Sequence, residues 1–233
     1  MKAYKHIFFD LDNTIWDFEK NSKEALIEIY HKHNLIDLGV TDVEHFIVKY
    51  KERNEMKWEQ YRLGTIDKPT LRDKRFALTF WDMGLDAETA PAALADDYLA
   101  ISPRKTILFP HTHEVLNYLA GKYTLHIITN GFEEAQIIKM EESKLSPYFQ
   151  EVIISEHTGF SKPDIRIFDY AMKKTGATAR DSIMIGDGLE VDVLGALNAE
   201  WDAIYFNPDK KFHEQDVTYE ISSLVELLHI LYK

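Results

Sequence analysis

Cysteine is absent from the 233 residues of this chain. Without thiols there is no disulfide framework and no thiolate metal site, which is typical of a protein from the reducing cytoplasm. The apolar residues nowhere form the run of about 20 that is needed to cross a bilayer. The apolar stretch at residues 7–9 is too short for the core of a signal peptide. We therefore expect a cytoplasmic protein with no membrane partner.

Positive charge is scarce, because 27 Lys and Arg residues stand against 39 Asp and Glu residues, for a formal net charge of −12. This balance argues against a nucleic-acid polymer as partner, since binding such polymers requires many basic residues to neutralise phosphates. A small anion remains a possible ligand wherever positive charge is concentrated locally. The apolar fraction of 45% fits an ordinary folded globular protein.

Four short apolar runs each end at a polar or glycine-containing segment, and these runs cover residues 7–9, 125–128, 152–154 and 183–185. Such runs are typical of buried parallel strands. Helical patterns at 133–140 and 165–174 lie between the last three runs, and Gly176 follows the second as a stop signal. The alternation predicts an α/β fold, a doubly wound and mainly parallel sheet.

The interval 17–102 has no convincing strand, and helical signals dominate it. Residues 41–44 have the spacing of a capping box in which Thr41 is the first residue, and helical patterns follow toward Gly64, from 69 to 84, and from 88 to 101. We predict a catalytic core formed by 1–16 and 103–233, with 17–102 inserted as an all-helical cap over the carboxyl ends of the strands. Aromatic residues at helical spacing are expected to form the core of this insert, namely Trp58, Tyr61, Phe76, Phe80 and Trp81.

The polar residues that follow the predicted strands can supply a reaction centre. In open α/β sheets, ligands bind beyond the carboxyl ends of the strands, so these residues are expected to converge. A single Asp is more often a turn or helix-capping residue, but the whole set in this order favours a functional interpretation. The candidates offer carboxylates, a hydroxyl, an amide and one cation, and they are Asp10, Asp12, Thr129, Asn130, Lys162, Asp187 and Asp192.

In these residues the sequence resembles the haloacid dehalogenase-like hydrolase superfamily over nearly its whole length. Any one of the motifs is weak evidence alone, whereas four in the expected order form a strong signal. The matching segments are Asp10-Leu11-Asp12-Asn13-Thr14, Thr129-Asn130-Gly131, Lys162-Pro163-Asp164, and the stretch from Gly186 to Asp192. The resemblance implies a Rossmann-like core with a cap and a phosphatase that requires Mg²⁺.

The resemblance also implies a role for each acidic residue. Asp10 would be the nucleophile that forms an aspartyl-phosphate, and Asp12 would be the general acid and base. The Mg²⁺ ligands would be the Asp10 carboxylate, the Asp12 backbone carbonyl and Asp187, with Asp192 in a supporting position. Mg²⁺ suits such a set because it prefers oxygen ligands.

The phosphate-binding groups implied by the resemblance are the Thr129 hydroxyl, the backbone N–H of Asn130 and the ammonium of Lys162. The Lys162 ammonium would also contact the Asp10 carboxylate. Together with Mg²⁺ they would create a locally positive site inside an acidic protein. A small phosphorylated metabolite is therefore expected as the partner, and the protein is expected to be a monomer or a homodimer.

Asp12 argues against dehalogenase chemistry, because haloacid dehalogenases as a group lack an acid at that position. Residues 127–132, 154–156 and 167–171 are similar to the bacterial pyrimidine 5′-nucleotidase subgroup. A nucleoside monophosphate is therefore the first expectation. The alternatives are a phosphatase similar to N-acylneuraminate-9-phosphatase or phosphoglycolate phosphatase, and, further away, a sugar phosphomutase or a phosphate-binding module without catalysis.

Overall fold

The computed structural model describes residues 3–232. Two compact units divide the chain. One contains the residues up to Phe18 together with those from Thr106 onward, and the other is Glu19–Lys105. The first boundary follows Phe18, two residues later than predicted, and the second follows Lys105, three residues later than predicted.

The first unit is built on a six-stranded sheet in the order β3-β2-β1-β4-β5-β6, in which all neighbouring strands are parallel. This confirms the predicted α/β class. The last two strands were not predicted, because β5 opens with an aspartate and β6 has three residues. The strands are β1 His6–Phe9, β2 Thr124–Thr129, β3 Phe149–Ile154, β4 Ser182–Gly186, β5 Asp202–Phe206 and β6 Tyr219–Ile221.

The α-helices of the described residues follow one another along both units. Those of the second unit are α1 Phe18–Lys32, which begins at the boundary, α2 Val43–Arg62, α3 Lys68–Asp82 and α4 Leu94–Ile101. Those of the first unit are α5 Thr112–Ala120, α6 Glu133–Glu142, α7 Ser155–Thr158, α8 Ile165–Thr175, α9 Gly195–Asn198 and α10 Leu227–Ile230. None of the helices described here is long and apolar enough to cross a membrane.

Alternating strand residues enter two separate cores on the two faces of the sheet. In β1, Ile7 and Phe9 join the cluster that includes the buried side of α5, whereas Phe8 joins the cluster that includes α8. A strand whose successive side chains are all buried needs such cover on both faces. The sheet unit is therefore a layered α/β/α structure, as doubly wound folds are.

The second unit is all-helical and has its own apolar core, made by α1 to α4. Two expectations for it were wrong in detail. Asp42 rather than Thr41 caps α2, because its carboxylate accepts hydrogen bonds from the N–H groups of Glu44 and His45. Phe76 and Phe80 lie in this core as expected, whereas Trp58 and Tyr61 are only half-buried and do not belong to it. Trp81 is 67% exposed.

The helix predicted over 88–101 is also shorter than expected, since α4 begins at Leu94. A short 3₁₀ turn, Ala87–Thr89, precedes it. The interval between them contains Pro91, which removes a backbone donor and restricts the residue before it.

Candidate active site

The two central strands of the sheet bring the first and last acidic motifs together. β1 pairs with both β2 and β4, so the strand order changes direction between β1 and β4. Ligands of open α/β sheets bind at this switch point. Asp10 directly follows β1, and its N–H donates to the carbonyl of Ile185 in β4 over 2.9 Å. Asp187 directly follows β4.

Carboxylate oxygens of Asp10, Asp187 and Asp192 lie within 4.8 Å of one another. Asp192 comes from Leu189–Leu194, a π-helical segment of the kind often found at functional sites. Its Oδ2 accepts a hydrogen bond from the N–H of Gly188 over 2.9 Å.

Lys162 is the cation of this cluster, and its side chain is buried among oxygen atoms. The ammonium lies 2.6 Å from Asp10 Oδ1, 2.6 Å from Asp192 Oδ1 and 2.7 Å from the Ile128 carbonyl. Burial alone would lower the pKa of Lys162, but the Asp10 and Asp192 carboxylates raise it above its ordinary value. The lysine is therefore held as a cation beside the predicted nucleophile.

One ammonium does not balance three carboxylates. Burial, the largest cause, raises the pKa values of Asp10 and Asp187 above the usual range of aspartate, and repulsion from the neighbouring carboxylates adds to it. The Lys162 ammonium opposes both effects. Oxygen donors that repel one another in a buried space are what a hard divalent cation stabilises. The residues present therefore fit such an ion.

Thr14, which the sequence analysis left without a role, holds Asp187 in place. Its hydroxyl accepts from the Asp187 N–H over 3.0 Å and lies 3.3 Å from Asp187 Oδ1. The first motif thus supports the last one through a hydrogen-bonding pair that spans the two central strands.

Thr129 and Asn130 are also brought to this edge of the sheet, at the end of β2. Thr129 Oγ1 accepts from the Gly131 N–H over 3.0 Å and from Gln136 Nε2 over 2.6 Å, which leaves its own proton available for donation. The Asn130 side chain pairs with the backbone N–H and C=O of Lys162, each over 2.9 Å. Asn130 therefore also fixes the segment that carries the lysine.

The Asp12 carboxylate is not one of the three clustered carboxylates. Its Oδ1 lies 2.6 Å from Lys139 Nζ, and its Oδ2 accepts from Gln136 Nε2 over 2.9 Å. Both oxygens are thus bound by side chains of α6. A carboxylate held outside the acidic cluster, two residues after Asp10, is free of the metal-binding set and suited to separate acid and base chemistry.

The profile of the haloacid dehalogenase-like hydrolases matches residues 4–200. The chain belongs to this family of hydrolases. It is 30% identical over 234 residues to YfnB of Bacillus subtilis, named as a HAD-hydrolase, with 99% of this chain and 97% of that protein covered. A magnesium-bound crystal structure of YfnB has a TM-score of 0.89 at 29% identity, and all of both chains is covered.

Two further relatives carry the names of phosphatases. The pyrimidine 5′-nucleotidase YjjG of Escherichia coli is 31% identical over 230 residues, which cover 97% of each chain. A glyceraldehyde 3-phosphate phosphatase of Methanothermobacter thermautotrophicus is 30% identical over 242 residues, with 96% of this chain and 99% of that protein covered. The helical insertion of the present structure is typical of the cap found in HAD-like hydrolases.

Sequence reasoning missed three residues of this HAD-like site, Thr14, Gln136 and Lys139. Thr14 belonged to a motif and could have been considered for that reason. Gln136 and Lys139 gave no comparable signal, because polar residues three apart on a helix ordinarily face solvent. In the structure they are 0% and 6% exposed.

Proposed function

We propose that this chain is a Mg²⁺-dependent phosphomonoester hydrolase that works through an aspartyl-phosphate at Asp10. One arrangement carries the proposal. The carboxylates of Asp10, Asp187 and Asp192 share one buried space with the Lys162 ammonium, while the Asp12 carboxylate is held apart by α6. A nucleophile, a cation-binding set and a separate acid are the groups that phosphoryl transfer to a carboxylate needs.

In the first step, an Asp10 oxygen forms a bond to phosphorus while the bond from phosphorus to the leaving oxygen breaks. Asp12 gives a proton to that oxygen, which departs as an alcohol. In the second step, water attacks phosphorus, Asp12 accepts the proton, and the bond between Asp10 and phosphorus breaks to release phosphate. Acid and base catalysis of this type contributes typically about 10² to 10⁴ in rate.

Repulsion between the Asp10 carboxylate and a phosphate dianion opposes the first step. For one pair of unit charges about 4 Å apart, the cost is roughly 4 kcal/mol at an effective dielectric constant near 20. When bound by Asp10, Asp187, Asp192 and the predicted Asp12 carbonyl, Mg²⁺ supplies the positive charge that offsets this repulsion.

The remaining groups bind and orient the phosphate. The Thr129 proton is free to donate, because its oxygen already accepts two hydrogen bonds. The backbone N–H of Asn130 is the second donor. The Lys162 ammonium, which contacts the Asp10 carboxylate, aligns the nucleophile and adds positive charge beside the transferring group.

A pyrimidine nucleoside monophosphate or its deoxy form is the substrate class that we favour. The relative YjjG, matched along nearly its full length, is named as a pyrimidine 5′-nucleotidase. The second candidate is a smaller sugar or triose phosphate, since a relative of similar identity is named as a glyceraldehyde 3-phosphate phosphatase. The helical unit then serves as the cap of this enzyme, and the sheet unit as its catalytic core.

Phosphate release from UMP, dUMP, dTMP, glyceraldehyde 3-phosphate, phosphoglycolate and sialic acid 9-phosphate, with Mg²⁺ or with EDTA, tests the proposal. We expect Mg²⁺-dependent turnover that is fastest with the pyrimidine nucleotides. Asp10→Asn should abolish turnover, and Asp12→Asn should lower turnover while Mg²⁺ binding, measured by calorimetry, stays close to wild type. Near-normal turnover by Asp10→Asn would contradict the covalent mechanism, and preference for a sugar phosphate would contradict the nucleotidase assignment alone.

A further inference from the structure

Helix α6 binds both oxygens of one carboxylate. Lys139 Nζ lies 2.6 Å from Asp12 Oδ1, and Gln136 Nε2 lies 2.9 Å from Asp12 Oδ2. The two donors stand three residues apart and therefore share one face of the helix. A carboxylate held at both oxygens has one orientation, whereas an aspartate exposed on a loop has several.

Lys139 is itself held in place by aromatic rings. Its ammonium lies 4.4 Å from the centre of the Trp16 ring and 5.8 Å from that of Phe18, and its side chain is only 7% exposed. Burying a lysine costs free energy, and an apolar residue of similar volume is often as stable or more stable in such a place. The fold alone therefore does not explain a lysine at this position.

Gln136 connects Asp12 to the predicted phosphate-binding group. The same Nε2 atom that donates to Asp12 lies 2.6 Å from Thr129 Oγ1. Space for this amide depends on Gly131, because a Cβ there would lie 2.2 Å from Gln136 Nε2. The amide thus ties the acid to the group that holds the phosphate.

We propose that Lys139 is a positioning residue for the reaction, with Gln136 acting beside it. The pair fixes the Asp12 carboxyl group in the orientation from which it serves the leaving-group oxygen. This inference rests on the proposed phosphatase function and adds two residues, which act through Asp12 and touch neither phosphate nor metal. A merely structural lysine would not affect one substrate more than another of the same shape.

A pair of aryl esters separates these two roles. Phenyl phosphate and p-nitrophenyl phosphate have nearly the same shape, but phenolate is much more basic than p-nitrophenolate and depends more on a proton from Asp12. The value of kcat/KM reports on the steps up to the transfer of phosphate to Asp10, when the leaving group departs. A misaligned acid should therefore reduce kcat/KM for the phenyl ester more.

The variant to compare with wild type is Lys139→Met, which keeps the length of the side chain and removes its charge. We expect kcat/KM to fall about 10²-fold for phenyl phosphate and less than about tenfold for p-nitrophenyl phosphate. The affinity for Mg²⁺, measured by calorimetry, should stay within about twofold of wild type, because Lys139 contacts none of the clustered carboxylates.

Lys122→Met is the matched control. Its ammonium also lies over an aromatic ring, 4.2 Å from the centre of Tyr118, but it is near the amino end of β2, whereas the site lies at the carboxyl ends of the strands. The control should leave kcat/KM for both esters unchanged. Gln136→Leu removes the other donor to Asp12 and should show the same preference for the p-nitrophenyl ester, so it replaces Lys139→Met if that protein does not fold.

Equal losses with the two esters, or no loss, would overturn the positioning role while leaving the proposed function intact. Wild-type protein that binds Mg²⁺ and hydrolyses neither ester nor any phosphate of the substrate panel would contradict the phosphatase function itself and overturn this proposal with it.

Discussion

A Cβ atom at Gly186 would lie 2.3 Å from Asp192 Oδ2 and 2.4 Å from its Cγ. Asp192 is buried and contacts both Lys162 and the N–H of Gly188, so its carboxylate can move away only by losing these contacts. The carboxylate of Asp192 can therefore occupy its place in the cluster only because residue 186 is a glycine and has no Cβ. Its backbone carries no positive φ, so close approach is the reason for the glycine.

Gly186→Ala should therefore harm both stability and metal binding. Overpacking a buried site costs typically about 1 to 3 kcal/mol, and we expect about 2 kcal/mol lower free energy of unfolding in urea. Mg²⁺ affinity should fall, because Asp192 must move. Gly121→Ala is the control, since the nearest atom to its Cβ would be 3.6 Å away and its φ is −73°. Equal effects of the two changes would contradict this account.

Single residues were predictable from the sequence where a strand ended in a polar side chain. Asp10, Asp187 and Thr129 follow or close short apolar runs, and parallel strands place their carboxyl ends together. Lys139 was not predictable, because its burial depends on Trp16, which lies more than a hundred residues away in sequence. Helical periodicity alone assigns such a lysine to the surface.

Among the secondary-structure elements, α2 offers a direct comparison of sequence and structure. The sequence pattern favours Thr41 as the capping residue, whereas the structure gives that role to Asp42, whose Oδ1 accepts from Glu44 N over 2.9 Å and from His45 N over 3.2 Å. A side chain at this position satisfies backbone donors that the helix leaves free.

Asp42→Ala should lower the stability of the protein by about 1 kcal/mol, as measured by urea unfolding, because two backbone N–H groups lose their acceptor. Thr41→Ala should change it by less than about 0.5 kcal/mol, the usual range for surface changes. The opposite order of effects would restore Thr41 as the cap.

Elements with one strong local pattern were predictable, and those defined by their neighbours were not. The uninterrupted apolar run that forms β4 identifies it as a buried strand. The three residues of β6 include the exposed Glu220, and they form a strand only because β5 lies beside them. Tertiary context decides such short segments.

The stability of the complete chain should depend on pH through a buried histidine. His126 in β2 has no exposed surface, and its ring stacks on Phe8 with ring centres 4.6 Å apart. Its Nε2 lies 3.0 Å from His6 Nδ1. Burial, with a smaller effect from His6, lowers the pKa of His126 from 6.5 to about 4.

The folded protein therefore keeps His126 neutral at a pH where the unfolded chain binds a proton. Stability should fall as the pH drops from 6.5 to about 4, by up to about 3 kcal/mol from this group. Below that range the group adds no further loss. His126→Phe should flatten this part of the curve of unfolding free energy against pH. A slope equal to that of wild type would contradict the assignment.

Mg²⁺ should stabilise the chain as a whole, because the proposed ligands are carboxylates that only the folded state brings within 4.8 Å of one another. At a hundredfold excess over Kd the gain is about 2.7 kcal/mol, or about 5 to 10 °C in Tm for a chain of this length.

Asp187→Asn should lose most of this shift. It should also raise Tm in EDTA at alkaline pH, because it removes a charge from a buried position. Burial and the neighbouring carboxylates disfavour the charged form of Asp187 and raise its pKa. Asp209→Asn changes the charge equally at an exposed position and should keep the full response. An unchanged Mg²⁺ shift in Asp187→Asn would place the ion elsewhere.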